Sequence, residues 1–424
     1  MLVSQKHSLK GEIRVPGDRS ISHRAVLFGS LAKGTTEING FSMQEDCLST
    51  IDCFRKMSVG IEILPNNRIK IHGNGLYGLK PPTSILNAGR SGTTIRLLLG
   101  VLSGQPFAST ITRNEVSIKK PVGNVVNPLR LMGANITGKE DGNYCPLSIS
   151  PSYLKGITYT LSPFETYVKS SILIAGLYAS GETTVIETEK SRDHTELMLN
   201  YFGADIKIDG TQVTSHPVNN LYSQKIEVPG DISIASYFIT AGLIVPNSDI
   251  VIRDVGVNPT RAGILDVYRS MGANIEILNE RTANNEKIAD IRITSSSLHA
   301  TVIESKDIPR LIDEIPIIAV AAAIADGTTI IKGLEGFKIK QSNKINLLIT
   351  QLSKMGACIE ETDDGLIIEG GKPLRGTITD CNNDCSIAMA MAVAGLAASG
   401  ETMIRKSQIL EVAYPDFGPI LRKL

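Results

Sequence analysis

The chain has 424 residues, and its 43 lysines and arginines balance 43 aspartates and glutamates, so it carries no formal net charge. The length favours two domains of roughly 200 residues, and the charge balance excludes a global field that would attract nucleic acid or an anionic membrane. No apolar run is long enough to span a membrane and the first residues lack a signal-peptide core, which predicts a cytoplasmic protein.

One tetrapeptide near the start of the chain divides it into two similar halves. Val15–Asp18 recurs as Val228–Asp231, and an alanine-rich helix is predicted after each copy. Two such halves predict one domain at residues 17–229 and a discontinuous one at 1–16 plus 230–424. Small ligands commonly bind between domains, so a ligand cleft is expected there.

Two short phrases recur along both halves, at a step of about 71 residues. A glycine or asparagine that ends a small-residue helix and precedes a strand occurs at Gly34, Gly104, Gly181, Asn247, Gly327 and Gly400. A second phrase, Met-Gly-Ala or Phe-Gly-Ala, begins at Met132, Phe202, Met271 and Met355, with a distorted copy at Met57. Its glycine can end a helix before an alternating strand. Six units are predicted, each with helix, strand, helix, strand and a further strand.

The stretch Asn87–Gly100 combines a glycine-containing loop with the start of a buried helix. Its spacing matches neither Gly-x-x-x-x-Gly-Lys-Ser/Thr nor Gly-x-Gly-x-x-Gly, which excludes the common nucleotide-binding loops. Ser91, Thr93 and Thr94 can cap the first turn, and the free N–H groups there attract anions. Arg90 and Arg96 add positive charge. An anion-binding loop and a capped core helix are equally compatible with this pattern.

The six cysteines are scattered, as is typical of reduced thiols in the cytosol. Cys381 and Cys385 have ligand-like spacing, but no second pair of Cys or His accompanies them. The sequence therefore predicts no metal and no other cofactor.

From end to end, the chain resembles the 5-enolpyruvylshikimate-3-phosphate synthase family. The matching motifs lie in family order at residues 11–24, 86–99, 191–196, 313–316 and 387–390. The resemblance implies an α/β fold in which each of two domains is an inside-out barrel of three βαβαββ units. It also implies carboxyvinyl transfer from phosphoenolpyruvate to a hydroxyl of shikimate 3-phosphate, without metal.

The resemblance carries specific roles to this chain. It implies acceptor contacts at Ser20, Arg24, Glu165, Thr166, Tyr167, Arg192 and Lys340, catalytic roles for Arg19, Asp313 and Gln341, and a phosphoenolpyruvate-type anion at Arg19, Arg90, Gly92, Thr93, Lys120, Lys344 and Ser386. Ser20 and Arg24 match the residues that hold the shikimate carboxylate. Asp313 matches the catalytic aspartate.

Several positions depart from the family pattern at the phosphoenolpyruvate end. Four of them keep or add positive charge: Arg19 for Lys, Arg90 for Asn, Lys120 for Arg and Lys344 for Arg. The exchange of Arg and Lys still alters a bidentate site. Gln341 replaces a Glu, Cys385 and Ser386 replace His-Arg, and Val412 replaces a Lys, so two full positive charges of the family pattern are missing.

The acceptor end departs at Glu165, Thr166 and Tyr167, where the family has Ser-Ala-Gln or Ser-Ser-Gln. A carboxylate at the position where a phosphate should bind is unfavourable: at an effective dielectric of about 20, like charges 4 Å apart repel by roughly 4 kcal/mol. This substitution predicts a divergent paralogue with an altered acceptor site.

Three hypotheses follow. The chain is a carboxyvinyl transferase acting on a shikimate-like acid; or it catalyses another reaction, such as elimination of water, on an unphosphorylated cyclohexene acid; or it is a non-catalytic binding protein. Retention of Ser20, Arg24 and Asp313 favours an enzyme. Its expected partners are small molecules, with no nucleic acid or membrane, and it is expected to be a monomer.

Overall fold

The computed structural model describes residues 1–115, 117–162 and 166–424, although for residues 166 and 336–342 only the backbone is described. The described chain forms two compact units. The first unit comprises Met1–Pro16, Pro229–Arg281 and Lys287–Leu424, and the second unit comprises Gly17–Val228 and Thr282–Glu286. The predicted domains differ from these units at Pro229 and at residues 282–286.

The strands of the described residues are short. They are β1 (Leu2–Ser4), β2 (Lys10–Arg14), β3 (Ala32–Asn39), β4 (Gly60–Leu64), β5 (Arg68–Asn74), β6 (Leu86–Asn87), β7 (Ser109–Thr112), β8 (Asn135–Gly138), β9 (Tyr144–Ser150), β10 (Thr158–Thr160), β11 (Thr183–Ile186), β12 (Ile206–Asp209), β13 (Gln212–Ser215), β14 (Leu221–Tyr222), β15 (Lys225–Glu227), β16 (Asp249–Gly256), β17 (Asn274–Ala283), β18 (Glu286–Thr294), β19 (Val302–Ile303), β20 (Thr328–Ile331), β21 (Cys358–Glu361), β22 (Leu366–Glu369), β23 (Ile378–Asp380) and β24 (Glu401–Arg405).

The helices alternate with these strands, and a 3-10 helix spans Ser305–Arg310. The α-helices are α1 (Arg19–Leu31), α2 (Glu45–Lys56), α3 (Gly92–Ser103), α4 (Gly123–Leu131), α5 (Lys139–Gly142), α6 (Thr166–Gly176), α7 (His194–Tyr201), α8 (Ile232–Ile244), α9 (Gly263–Ser270), α10 (Ile315–Ile324), α11 (Glu335–Lys354), α12 (Cys385–Ala397), α13 (Ile409–Ala413) and α14 (Phe417–Lys423).

The strands form sheets that repeat one pattern. In the order β6-β7-β9-β8, the first pair is parallel and the next two pairs are antiparallel. The sheets β10-β11-β13-β12 and β19-β20-β22-β21 have the same arrangement. With the helices between their strands, each is a βαβαββ unit, which confirms the predicted α/β fold.

The sheets differ in one respect from the predicted barrel. Within the described residues each sheet has three to five strands in an open order, and none closes on itself. An open sheet keeps two edge strands, whereas closure into a barrel removes both edges.

Helices form the core of each unit. In the first unit α8, α10 and α12 pack pairwise, and every residue of α8 is buried. In the second unit α3 packs against α6, and the crossing is close at Gly100. A Cβ on Gly100 would lie 2.5 Å from the Ser171 carbonyl oxygen, so only glycine fits there.

The repeated Met-Gly-Ala phrase ends helices through a positive φ angle. Gly133 has φ 102°, and Gly203, Gly272 and Gly356 have φ between 80° and 94°. In the distorted copy, Ser58 adopts φ 66° at the same point. The backbone geometry of the repeat is therefore kept even where its glycine is lost. A residue with a side chain is strained at such a positive φ angle.

Candidate active site

Three helices that carry predicted site residues, α1, α3 and α12, are capped by a side chain, as is α8. Asp18, Ser91, Asp231 and Asp384 cap α1, α3, α8 and α12, each accepting a backbone N–H bond of 2.9 to 3.1 Å from the first turn. Such caps fix the direction of the first turn. Ser91 was predicted as one of three possible caps of α3.

Arg24, on α1, is held by three hydrogen bonds within the second unit. Its Nε donates to Thr195 Oγ1 at 2.7 Å, its Nη2 to Ser170 Oγ at 2.9 Å, and its Nη1 to the Ser20 carbonyl oxygen at 3.0 Å. Burial lowers the pKa of Arg24 from its ordinary value. A guanidinium has five N–H donors, so the described residues leave two of them for a ligand.

His23 links α1 to the start of α3 as a neutral group. Its Nδ1 lies 2.8 Å from Thr50 Oγ1, which lies 2.8 Å from Thr94 Oγ1. Burial, and then the neighbouring charges of Arg24 and Arg19, lower the pKa of His23 to about 3. The imidazole is therefore structural at neutral pH and does not add to the positive charge beside it.

Arg96 and Tyr167 form a stacked pair in the second unit. The Arg96 guanidinium lies 4.2 Å from the centre of the Tyr167 ring, and the Asn124 amide donates to the Tyr167 hydroxyl. The predicted acceptor residue Tyr167 is thus engaged by other side chains of this unit.

The remaining predicted cations of the second unit differ in exposure. Arg90 and Lys120 are exposed, whereas Arg19 and Arg192 are half-buried. The Lys120 carbonyl oxygen accepts a long bond, 3.5 Å, from Nη1 of Arg113, a residue that was not predicted for the site.

Lys169 lies at the centre of a buried charge cluster. Its Nζ is 2.6 Å from Glu196 Oε1 and 3.0 Å from Glu187 Oε2, and none of the three side chains is more than 3% exposed. Burial lowers the pKa of Lys169, but the two carboxylates raise it by more, so the pKa lies above its ordinary value. Burial raises the pKa of Glu196 more than Lys169 lowers it.

A second buried ion pair ties residues 282–286 into the second unit. His194 Nδ1 lies 2.7 Å from Glu286 Oε1, with side-chain exposures of 3% and 1%. Burial lowers the pKa of His194, but Glu286 raises it by more, so the imidazole is stabilised in its charged form. His194 is the first residue of α7 and precedes Thr195, whose hydroxyl accepts a hydrogen bond from Arg24.

In the first unit, Arg261 holds the predicted catalytic residue Asp313. Arg261 is 4% exposed, and its Nη1 lies 2.9 Å from Glu314 Oε1. Its Nη2 lies 3.5 Å from Asp231 Oδ1 and 3.7 Å from Asp313 Oδ2. The Asp313 side chain is 48% exposed, so its carboxylate is accessible to a small molecule.

Two predicted anion contacts meet at the start of α12. Lys344 Nζ lies 3.6 Å from Asp384 Oδ2, and Ser386 Oγ donates to Asp384 Oδ1 at 2.6 Å. Asp384 therefore neutralises much of the charge that Lys344 was expected to offer to a ligand.

Each unit brings together some of the predicted residues. Ser20 and Arg24 are adjacent in the second unit, as are Gly92 and Thr93 at the start of α3, whereas Lys344 and Ser386 meet in the first. Glu165 lies outside the described residues, as do the side chains of Thr166, Lys340 and Gln341.

Sequence reasoning did not assign a site role to Arg113, Ser170, Thr195 and Arg261. Ser170, Thr195 and Arg261 have partners distant in sequence, for example 146 residues between Arg24 and Ser170. Thr195 lies inside the family motif at residues 191–196, and that motif was the signal that could have identified it. Arg113 and Arg261 carried none.

Two further observations concern the part of the chain that the structure describes. No three His, Cys, Asp or Glu side chains there are grouped as metal ligands. No helix there combines the length and apolar character needed to cross a bilayer.

Comparison with known proteins identifies relatives that match almost the whole chain. The family model of EPSP synthase (3-phosphoshikimate 1-carboxyvinyltransferase) matches residues 3–421. The 3-phosphoshikimate 1-carboxyvinyltransferase of Thermoanaerobacter sp. (strain X514) is 51% identical, covering 98% of this chain and 97% of its own. That of Desulforamulus reducens is 47% identical, covering 100% and 99%.

The solved structure of EPSP synthase from Acinetobacter baumannii, at 2.37 Å, superposes with a TM-score of 0.92. It is 40% identical, covering 100% of this chain and 97% of that one. These relatives give no support to the expectation of a divergent paralogue. The chain is a transferase that belongs to the EPSP synthase (3-phosphoshikimate 1-carboxyvinyltransferase) family.

Proposed function

We propose that this protein transfers the carboxyvinyl group of phosphoenolpyruvate to a hydroxyl of shikimate 3-phosphate and releases inorganic phosphate. The relatives that bear the name of this reaction match almost the whole chain, which supports the proposal. The cytoplasmic location, the monomeric state and a ligand cleft between the domains stay predictions.

The observation that carries the proposal is the setting of Arg24. Ser170, Thr195 and the Ser20 carbonyl oxygen fix its guanidinium, and two N–H groups remain for a carboxylate. A preorganised guanidinium loses little conformational freedom when it binds, and paired N–H bonds to a carboxylate are among the strongest available. Arg24 is therefore the proposed contact for the acceptor carboxylate.

The reaction needs three proton transfers. The acceptor hydroxyl loses its proton as its oxygen bonds to the donor, and the methylene carbon of the donor gains one. That carbon gives a proton up again as phosphate leaves, which restores the C=C bond of the carboxyvinyl group. The exposed carboxylate of Asp313 is proposed to orient or deprotonate that hydroxyl. Positive charge at Arg19 and Lys120 is proposed to stabilise the anionic donor.

One observation favours a second candidate, an acceptor without the phosphate. Tyr167 occupies a position at which the family has a Gln, and its ring and hydroxyl are already engaged by Arg96 and Asn124. In the family pattern a Ser hydroxyl at position 165 binds the 3-phosphate and the Gln at position 167 binds ring groups, and by residue type this chain offers neither group. Unphosphorylated shikimate would then bind better than its ester.

The test supplies phosphoenolpyruvate with either shikimate 3-phosphate or shikimate, and measures inorganic phosphate and the mass of the product. Phosphate release with the ester supports the proposal, and release with shikimate alone supports the second candidate. A dehydrated acid formed without consumption of phosphoenolpyruvate would indicate elimination and contradict both. Binding of either acid in a calorimetric titration without formation of any product would indicate a non-catalytic binding protein.

Replacement of Glu165 distinguishes the two acceptors further. If the second candidate holds, Glu165→Ser should shift the preference towards the ester, by a few kcal/mol at most after solvent screening. The exposed Glu189→Ser serves as the matched control. An ester that already binds better to the unaltered protein would refute the second candidate.

A further inference from the structure

Two arginine side chains converge at the start of α3. Arg96 extends from the second turn of α3, and Arg113 directly follows β7. The position that a Cβ of Gly92 would occupy lies 3.1 Å from Arg96 Nη2 and 3.4 Å from Arg113 Nη2. A ligand that approaches the backbone at Gly92 therefore meets both guanidinium groups.

Within the described residues, neither positive charge is paired with a carboxylate. Among the side chains that the structure describes, no Asp or Glu lies within ion-pair distance of Arg96 or Arg113. Both Nε atoms are buried without a hydrogen-bond partner, and Arg113 is only 4% exposed. The recorded bond of Arg113, 3.5 Å to the Lys120 carbonyl oxygen, is at the limit of hydrogen bonding.

Burial makes this arrangement costly without an anion. Burial lowers the pKa of Arg113. Burial and the charge of Arg113 lower the pKa of Arg96 to about 10, although Tyr167 raises it. Like charges side by side in a buried position destabilise each other unless an anion binds between them. The two guanidinium groups thus gain stability from an anionic ligand.

The backbone at the same place also favours an anion. The first N–H groups of a helix have no acceptor within the helix. Ser91 Oγ accepts the bond of Thr94, which leaves the N–H groups of Gly92 and Thr93. In a helix of 12 residues these groups lie at the positive end of the dipole, where phosphate groups commonly bind.

We infer that Arg113 and Arg96 form a phosphate-binding pair at the start of α3, with Arg113 as a donor-binding residue beyond those that the family resemblance assigns. The inference rests on the proposed function, in which phosphoenolpyruvate supplies the phosphate group. The family cations missing at Ser386 and Val412 leave fewer positive charges for that donor. Arg113 adds one that the family comparison did not provide.

The test is calorimetric titration of the full chain with three anions: inorganic phosphate, pyruvate and phosphoenolpyruvate, each with and without shikimate 3-phosphate. We expect Arg113→Gln to lower the affinity for phosphate and for phosphoenolpyruvate by about 10- to 100-fold, because a charged hydrogen bond is lost. Pyruvate, which has only the carboxylate, should be unaffected. Arg68→Gln, an exposed arginine of the second unit, is the control for net charge.

Arg113→Lys is the second variant, because it keeps the buried charge but not the paired N–H groups. It should weaken phosphate by less than Arg113→Gln does. If Arg113→Gln does not fold, Arg113→Lys is compared with the unaltered protein in the same titrations, and equal phosphate affinity overturns the inference.

Three outcomes separate this inference from the proposed function. Unchanged phosphate affinity in Arg113→Gln, or an equal loss in Arg68→Gln, overturns the inference even if carboxyvinyl transfer is observed. Weakening of pyruvate alone would assign Arg113 to the carboxylate and overturn it too. Arg113-dependent phosphate binding without any carboxyvinyl product would support the inference while the proposed function failed.

Discussion

Replacement of Lys169 by Met should destabilise the second unit strongly. The variant removes the cation that lies 2.6 Å from Glu196 and 3.0 Å from Glu187, in a cluster that is at most 3% exposed. Loss of one partner of a buried ion pair costs about 3–5 kcal/mol, because the remaining charge has lost its compensation. For a unit of this size, that corresponds to a fall in Tm of roughly 6–20 °C.

The loss should depend on pH in a defined direction. Burial already raises the pKa of Glu196 above its ordinary value of 4.5, and Lys169 opposes this rise. Without Lys169 the pKa of Glu196 therefore rises further. A carboxyl with a raised folded pKa holds a proton that the unfolded chain releases, so folding becomes less favourable as pH rises above that ordinary value. The stability deficit of the variant should therefore be larger at pH 8 than at pH 5.5.

Urea unfolding followed by circular dichroism at both pH values measures this deficit. Lys207→Met, at an exposed position on β12, is the matched control and should change stability by less than about 0.5 kcal/mol. A triple variant with Lys169→Met, Glu187→Gln and Glu196→Gln should recover most of the loss, since no buried charge then lacks a partner. A deficit no larger than that of the control, or one that shrinks as pH rises, would refute the reasoning.

Three further changes test the candidate site. Arg24→Ala should weaken binding of shikimate or its ester by about 100-fold or more in calorimetry, since a charged pair of hydrogen bonds is lost; unchanged affinity would remove Arg24 from the acceptor site. Asp313→Asn should leave the urea midpoint unaltered, because the side chain is 48% exposed, yet lower kcat by about 100-fold or more; normal kinetics would exclude a catalytic role. Arg261→Lys should lower kcat more than it raises KM, because it disturbs the side chain that holds Asp313 rather than a ligand contact; an effect on KM alone would contradict this.

Local features of the fold were predictable from the sequence. The Met-Gly-Ala phrase encodes a helix end and a following strand within a few residues, because glycine reaches positive φ without strain. Ser91 was identified as a possible cap of α3 for a similar reason, since capping joins residues three apart. Repetition of these local signals was enough to count the units.

Contacts between distant residues were not predictable from local pattern. Lys169 is held by Glu187 and Glu196, which lie later in the chain, and no local pattern links the three residues. Arg113 and Arg261 look like ordinary surface arginines in the sequence, and only the fold buries them. Burial of a cation depends on which elements pack around it, and no spacing rule encodes that.

The order of synthesis delays the pairing of β1 with β24. Leu2 lies opposite Met403 in this antiparallel pair, so β1 leaves the ribosome about 400 residues before the strand with which it pairs. At about 5–20 residues per second, that wait is roughly 20–80 s. During this time β1 has an unpaired edge, which is the kind of strand that binds other chains. Synthesis at high concentration should therefore make a chaperone more important for the first unit than its final stability suggests.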